Sequence, residues 1–206
     1  MKLNKKIVGI AASGRKESNS GRLLDIALNE LASRGFVIER ISLSDYKIEP
    51  CRGCRACEKT GHCIIEDDMN ILYPIVTGAD ALVFATPIYF YSIPGHAKSF
   101  IDRFQPFWAR RYLLGQHPIN KGVGAIISIG GSGGKKVHDS VQLTLRYFYD
   151  AIGFETFRPL QFSNWDGNPD ELPDAFPETF TTKTLEYAKE FGIFLSNRNG
   201  GAHENR

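Results

Sequence analysis

Four cysteines lie within one short stretch of this chain, and the sequence contains no others. They are Cys51, Cys54, Cys57 and Cys63, with the spacing Cys-x2-Cys-x2-Cys-x5-Cys. Four thiolates held close together by one loop can converge on a single ion or cluster, and this ligand set is usual for [4Fe-4S] clusters and for structural zinc. The spacing therefore predicts a metal centre.

The same spacing favours iron-sulfur over zinc. Three cysteines in tandem open the bacterial ferredoxin motif, although its fourth cysteine follows after a different gap. Zinc sites more often use two separated Cys-x2-Cys pairs. Zinc, disulfides and uncoordinated thiols stay open as alternatives, but disulfides belong mainly to secreted chains. The N-terminal apolar run covers only residues 7–12, so we expect a reducing, cytoplasmic location.

A second candidate site precedes the first predicted helix and is rich in hydroxyl, amide and cationic side chains. A helix N-terminus offers unpaired N–H groups and a positive dipole end, which together bind phosphate. The predicted phosphate-binding residues are Ser13, Arg15, Ser18, Asn19 and Ser20, and the alternative is an ordinary helix cap. The segment lacks the glycine patterns of nucleoside triphosphatases and of dinucleotide sites, so a mononucleotide such as FMN is the predicted ligand.

Two further loops complete the predicted FMN site. The loop after the third predicted strand is aromatic and can stack on an isoalloxazine ring, unless its rings only cap the core. Its site residues are Pro87, Ile88, Tyr89, Phe90, Tyr91 and Ser92. The loop after the fourth predicted strand allows close backbone approach to a ligand, or is a flexible turn. Its site residues are Gly130, Gly131 and Ser132.

These segments are positioned by alternating strands and helices. Strands are predicted at 7–11, 37–43, 81–86, 124–129 and 155–162, and helices at 21–33, 69–78, 95–104, 136–152 and 180–195. The alternation predicts an α/β flavodoxin-like three-layer sandwich, with a five-stranded parallel sheet of order 2-1-3-4-5 and helices on both faces. Ligands of such sheets bind at the carboxyl ends of the strands, where all the candidate loops lie.

Composition limits the classes of function. The 206 residues are 42% hydrophobic, which predicts one domain over residues 1–196, with the cysteine loop at 50–66 and a flexible tail at 197–206. The 25 Lys and Arg nearly balance 23 Asp and Glu, so we expect no nucleic-acid partner. No apolar stretch approaches the ~20 residues that cross a bilayer, so we expect no membrane insertion.

Taken together, these segments resemble the iron-sulfur flavoprotein family, within the NADPH-dependent FMN reductases of flavodoxin-like fold. The likeness spans residues 6–135 and is carried by 13–20, 50–57 with Cys63, 66–69, 86–89 and 98–103. The resemblance implies FMN, a [4Fe-4S] cluster on the four cysteines, and a homodimer or homotetramer that brings the cluster of one subunit towards the flavin of another. This chain has Gly14 where relatives often carry a proline.

The expected function is a redox flavoprotein that passes electrons between the cluster and FMN, with no catalytic side chain. NAD(P)H is the expected cosubstrate, and ferredoxin or another redox protein is a candidate partner. Three alternatives stay open: an electron carrier that exchanges electrons only with proteins, an FMN-dependent reductase of quinones, nitro compounds or free flavin without a cluster, and a zinc-stapled interaction domain.

Structural roles are predicted for several other residues. Asp67 and Asp68 are expected to cap a helix, and the Asp102-Arg103 pair is expected to form a salt bridge or a dimer contact. The histidines form no ligand spacing, and most are expected at the surface. The segment 163–178 either shapes a substrate pocket or only connects the fifth strand to the last helix.

Overall fold

The computed structural model describes residues 5–116, 121–167 and 176–198. The strands are β1 (Lys6–Ala11), β2 (Val37–Ser42), β3 (Ala81–Pro87), β4 (Val123–Ile129), β5 (Glu155–Thr156) and β6 (Leu160–Phe162). The helices are α1 (Asn19–Ser33), α2 (Ala56–Thr60), α3 (Met69–Thr77), α4 (Gly95–Asp102), α5 (Gln105–Tyr112), α6 (Asp139–Ala151) and α7 (Glu178–Asn197). The predicted tail begins within the end of α7, and its residues 199–206 lie outside the described residues.

The strands form one parallel sheet. β1 pairs with β2 on one side and with β3 on the other, and β4 pairs with β3, β5 and β6. The order is β2-β1-β3-β4-β5, with β6 beside the carboxyl end of β4. The predicted strand order and the flavodoxin-like architecture are confirmed.

The sheet is covered on both faces because its central strands are apolar on both faces. Along β1, Ile7 packs into one core and Val8 into the other, as expected from the two-residue period of a strand. The face that carries Ile7 is covered by α1 and α7, whereas the face that carries Val8 is covered by α3, α4 and α6. In the described parts of the chain, no helix is long and apolar enough to cross a membrane.

Two predicted elements differ from the observed ones, each next to a proline. The strand predicted over 155–162 is the two short strands β5 and β6, because Pro159 between them has no N–H to donate and restricts Arg158. The helix predicted over 95–104 ends at Asp102, and α5 follows. Pro106 lies in the first turn of α5, and its ring would clash with the carbonyl of Asp102 in one continuous helix.

Candidate functional site

The loop after β1 leads into the N-terminus of α1. Ser18 is the N-cap, and its hydroxyl accepts a hydrogen bond of 3.1 Å from the N–H of Gly21. The first turn of α1 contains no acidic side chain, so the helix does not neutralise the positive end of its own dipole. Ser13 and Ser20 are 2% and 1% exposed. Ser18 is thus an ordinary cap, while the other first-turn N–H groups have no acceptor within the helix.

A cavity at this end of the sheet collects residues from four segments. Nine of the predicted site residues line it: Ser13, Arg15, Ser18, Asn19, Ser20, Pro87, Ile88, Tyr89 and Gly131. Three lining residues were not predicted: Ile129, Trp165 and Asp166. The other predicted residues do not line it: Phe90, Tyr91, Ser92, Gly130 and Ser132. The cavity is therefore lined by the predicted phosphate-binding loop (residues 13–20) and by the first half of the aromatic loop (residues 87–89).

Trp165 and Asp166 belong to the loop after β6, whose role was left open by the sequence. The Asn19 side chain donates a 2.7 Å hydrogen bond to the carbonyl of Gly167, which fastens this loop to the N-terminus of α1. The indole Nε1 of Trp165 is buried and has no hydrogen-bond partner among the described residues. The signal available in the sequence was position, because Trp165 follows a strand at the same carboxyl edge. Residues 168–175 of the same segment lie outside the described residues.

The second half of the aromatic loop is a tight turn with unusual backbone angles. Tyr89 and Ser92 exchange backbone hydrogen bonds of 2.8 and 2.9 Å. The two residues between them, Phe90 and Tyr91, have φ of 49° and 61°, which is the left-handed conformation of a type I′ turn. Phe90 is fully exposed. A Cβ at Gly134 would lie 2.3 Å from the hydroxyl of Tyr91, so a larger residue there would displace the exposed Tyr91 ring.

A buried histidine links β4 to the loop after β6. His138 Nδ1 lies 2.8 Å from the Ser128 hydroxyl, and its Nε2 lies 2.9 Å from the Ser163 hydroxyl. Burial lowers the pKa of His138, and Asp139 partly opposes this shift. His138, which is 8% exposed, is an exception to the expectation that most histidines lie at the surface. Its contacts tie β4 and the start of α6 to the loop after β6.

The cysteine loop surrounds a separate cavity of about 440 Å³, lined by Cys51, Cys54, Cys57 and Cys63. The opposite wall comes from the corner between α4 and α5. All four cysteines are free thiols, and in the described ranges no three His, Cys, Asp or Glu side chains are close enough to hold a single metal ion. Burial raises the pKa of Cys57, and the neighbouring cysteines raise it further.

Arg103 joins the cysteine loop to the α4–α5 corner. Its guanidinium is buried and pairs with Asp67 through contacts of 2.5 and 3.1 Å. Asp67 also accepts hydrogen bonds from the N–H groups of Glu49 and Met69. Burial alone would raise the pKa of Asp67, but Arg103 and these N–H groups lower it. Of the Asp102-Arg103 pair, Arg103 therefore forms an internal salt bridge.

The other predicted structural residues make local contacts. Asp102 pairs with Lys98 at 2.6 Å on the surface of α4. Asp68 accepts a 2.6 Å bond from the N–H of Lys47, so of the two predicted caps only Asp67 bonds a first-turn N–H of α3. These contacts leave Asp67 and Asp68 with structural roles.

Comparison with known proteins places the chain in a family. A family model described as NADPH-dependent FMN reductase matches residues 5–160. The chain is 40% identical over 112 residues to an iron-sulfur flavoprotein of Archaeoglobus fulgidus, covering 54% of this chain and 51% of that protein. It is 35% identical to one of Methanosarcina thermophila, covering 62% and 64%, and 32% identical to one of Methanocaldococcus jannaschii, covering 69% and 71%. The alignment thus spans about half of the first relative and just under two thirds of the second.

Solved structures share the fold at low sequence identity. An NADH:FMN oxidoreductase superposes with a TM-score of 0.63 at 17% identity, covering 92% of this chain and 89% of that one. RosB, solved with a bound 8-demethyl-8-formylriboflavin-5'-phosphate, gives a TM-score of 0.70 at 17% identity, covering 97% and 82%. At this identity the likeness establishes the fold alone.

Proposed function

This chain belongs to the NADPH-dependent FMN reductase family and, within it, to the iron-sulfur flavoproteins, and we propose that it is a flavin-dependent oxidoreductase that passes electrons between FMN and a [4Fe-4S] cluster. The observation that carries the proposal is that two cavities follow the carboxyl ends of one parallel sheet. One is lined by the phosphate loop and Tyr89, and the other by four free cysteines. A flavodoxin-like sheet binds its ligand at this edge.

The residues of the first cavity suit FMN. The N-terminus of α1 offers N–H donors and an uncompensated dipole end to a phosphate. Arg15 has no ion-pair or hydrogen-bond partner for its guanidinium among the described residues, so it is available to a dianion. The unpaired indole N–H of Trp165 supplies another donor. Tyr89 and Ile88 supply an aromatic face and an apolar contact for a flat ring.

The residues of the second cavity suit a polynuclear cluster better than a single ion. Tetrahedral zinc with Zn–S bonds of about 2.3 Å requires four sulfur atoms within about 4 Å of one another. The four cysteines here share a cavity of about 440 Å³, and no three side chains in the described ranges converge to single-ion distances. A group with its own iron and sulfide atoms bridges more widely spaced sulfur atoms, and Cys51, Cys54, Cys57 and Cys63 are its proposed ligands.

When bound, FMN supplies two-electron chemistry and the cluster supplies one-electron steps, so the pair can link a hydride donor to a one-electron partner. The protein's own part is to bind the phosphate, to hold the flavin ring against the aromatic loop and to present the thiolates. A reduced pyridine nucleotide is the proposed donor, in keeping with the family description. Ferredoxin or another redox protein is the proposed partner on the cluster side.

The proposal includes assembly and location. The resemblance supports a homodimer or homotetramer, and the clustered cysteines support a reducing, cytoplasmic location, since disulfides belong mainly to secreted chains. Light scattering of the purified protein tests assembly, because one chain has a mass of 23.0 kDa. A monomer at micromolar concentration would contradict it.

The test of function is an absorption spectrum of protein purified without oxygen, with iron, sulfide, zinc and flavin measured on the same sample. We expect flavin bands, broad cluster absorption and about four irons per chain. Flavin without iron would favour the second candidate, an FMN reductase without a cluster. That candidate has its own support, since no residue of the cysteine loop lines the FMN cavity. Zinc without flavin would indicate a zinc-stapled interaction domain.

A further inference from the structure

We infer that Arg103 is a positioning residue for the cluster, which holds the cysteine loop closed and donates its one unused N–H to a sulfur atom of the bound group. This inference rests on the proposed iron-sulfur function. Arg103 is 1% exposed, directly follows α4, and lines the cysteine cavity. Such complete burial of a cation is costly unless the cation is paired and hydrogen-bonded.

The guanidinium of Arg103 donates hydrogen bonds to both ends of the cysteine loop. One terminal nitrogen donates to the carbonyl of Glu49 at 2.9 Å, and the other donates to the carbonyl of Ile65 at 3.1 Å. Glu49 lies just before Cys51, and Ile65 lies just after Cys63. The two ends of the segment that carries the ligands are thereby joined through one side chain.

Asp67 also binds the guanidinium of Arg103 and fixes its orientation. Its two carboxylate oxygens accept one bond from each terminal nitrogen of Arg103, at 2.5 and 3.1 Å. This two-bond geometry belongs to arginine and cannot be reproduced by lysine. The side chains of Arg103 and Asp67 are 0% and 4% exposed, so water does not compete for the pair.

The donor count of Arg103 leaves one N–H unexplained. An arginine has five N–H donors, and the bonds to Glu49, Ile65 and Asp67 account for the four on the terminal nitrogens. The fifth, on Nε, is buried without a partner among the described residues. An unsatisfied buried donor on a cation is costly, so such groups have a partner in the working protein. Cluster sulfur is the acceptor chemistry that this cavity would hold.

A hydrogen bond donated to cluster sulfur favours the reduced form of the cluster, because reduction adds negative charge, whereas the charge of Arg103 is offset by that of Asp67. Arg103 should therefore raise the reduction potential of the cluster as well as retain it. A residue that only supported the fold would change retention and unfolding together without changing the potential of the cluster that remains.

The chain offers a matched control for these effects. Arg110 on α5 also holds the loop, since its Nε donates to the carbonyl of Gly61 at 2.7 Å and its guanidinium lies 3.0 Å from Nδ1 of His62. Arg110 does not line the cysteine cavity. Arg110→Met therefore removes a loop contact without removing a charge from the cavity wall. Lys98→Met, which breaks the exposed pair with Asp102, serves as a surface control.

The experiment compares wild type with Arg103→Lys and with Arg103→Met/Asp67→Asn, which removes both charges of the buried pair. Iron and FMN per chain, the midpoint potential of the cluster and the unfolding temperature are measured on each. We expect the double variant to shift the reduction equilibrium at least tenfold towards the oxidised cluster, about 59 mV to more negative potential. Arg103→Lys should lose iron faster than wild type, while both control variants keep the wild-type potential.

Wild-type iron content and potential in the double variant would overturn the role of Arg103. If that variant fails to fold, Arg103→Lys becomes the test of the inference, because it keeps the charge and loses the Nε–H. Wild-type retention of iron and an unchanged cluster potential in Arg103→Lys would overturn the inference. An equal shift in Arg110→Met would also overturn it, because the effect would then belong to any loop contact. Absence of iron from wild type would instead refute the proposed function.

Discussion

Trp165 illustrates how one unpaired donor can mark a binding site that sequence motifs do not. Its indole nitrogen is buried without a partner in the part of the chain that the structure describes, and its ring lines the proposed FMN cavity. The neighbouring bond from Asn19 to Gly167 holds the loop in place without a ligand. The indole N–H is therefore preorganised for an acceptor, which lowers the entropy lost on binding.

We expect Trp165→Phe to weaken FMN binding about 10- to 100-fold. The substitution keeps an aromatic ring and removes the N–H, and a hydrogen bond to a charged group contributes about 1.5–3 kcal/mol. Arg15→Ala should weaken binding at least as much, through loss of the pairing with a dianion. Flavin-fluorescence titration of the flavin-free protein measures both, with Trp108→Phe on α5 as the control. Unchanged affinity in Trp165→Phe would mean that FMN does not accept from the indole.

We expect His138 to make the stability of the protein depend on pH. Burial lowers its pKa from the ordinary value of 6.5, so below about that pH the unfolded chain binds a proton more readily than the folded chain. The stability contributed by neutral His138 is present above pH 6.5 and is lost as the pH falls through the folded pKa. The imidazole then can no longer accept a hydrogen bond from either serine.

We expect the free energy of unfolding, measured in urea, to decrease from about pH 7.5 to about pH 5.5. His138→Gln should lower it by about 1 kcal/mol at the higher pH, through the loss of one of two hydrogen bonds, and should flatten the pH dependence. His62→Gln, at an exposed histidine, should retain the wild-type slope. An identical slope in His138→Gln would assign the pH dependence to other groups.

At the scale of elements, the sequence was sufficient to predict those strands that are determined by a local pattern of hydrophobic residues. The strands β1, β3 and β4 are apolar runs buried on both faces, so their identity followed from hydrophobicity, and their order followed from the alternation with helices. The breaks at Pro106 and Pro159 did not follow, because a proline near the end of an element can be accommodated or can divide it. Packing in three dimensions decided these cases, and the resulting α4–α5 corner forms a wall of the cysteine cavity.

The turn at Phe90 and Tyr91 stores strain that a simple exchange should release. Non-glycine residues in the left-handed region cost about 1–2 kcal/mol each, whereas Asn-Gly is preferred in a type I′ turn. We expect Phe90→Asn/Tyr91→Gly to raise the free energy of unfolding by about 1 kcal/mol, after the lost contact of Tyr91 with Gly134 is deducted. Thermal and urea unfolding measure the gain, and each single exchange is a control. A loss of stability would show that ring contacts outweigh the backbone strain.

At the scale of the whole molecule, the candidate site divides into predictable and unpredictable parts. The cysteine spacing and the phosphate loop are contiguous in sequence, so residue type and position were sufficient to identify them. Arg103, Trp165 and His138 act on segments that are distant in the chain, and nothing in their local sequence indicates the partner. The fold brings them to the site, and a charged or polar side chain is informative only when its burial is known.

The cysteine loop lies outside both hydrophobic cores, and this has a consequence for metal removal. Neither core contains a residue between Cys51 and Cys63, and the FMN cavity uses none of them. The loop is also closed by the Arg103–Asp67 pair, which requires no metal. The molecule therefore differs from small domains whose folding free energy is supplied by a bound ion.

We expect Cys54→Ser to lose most of its iron while keeping FMN and the circular dichroism of the wild type, because both cores and the flavin cavity are intact without the cluster. The unfolding temperature should fall by only a few degrees, equivalent to about 1 kcal/mol for a chain of this size. Arg52→Ser, at an exposed position of the same loop, should retain both cofactors. Loss of iron, FMN and secondary structure together in Cys54→Ser would instead mean that the metal centre supports the fold, as in a metal-stapled domain.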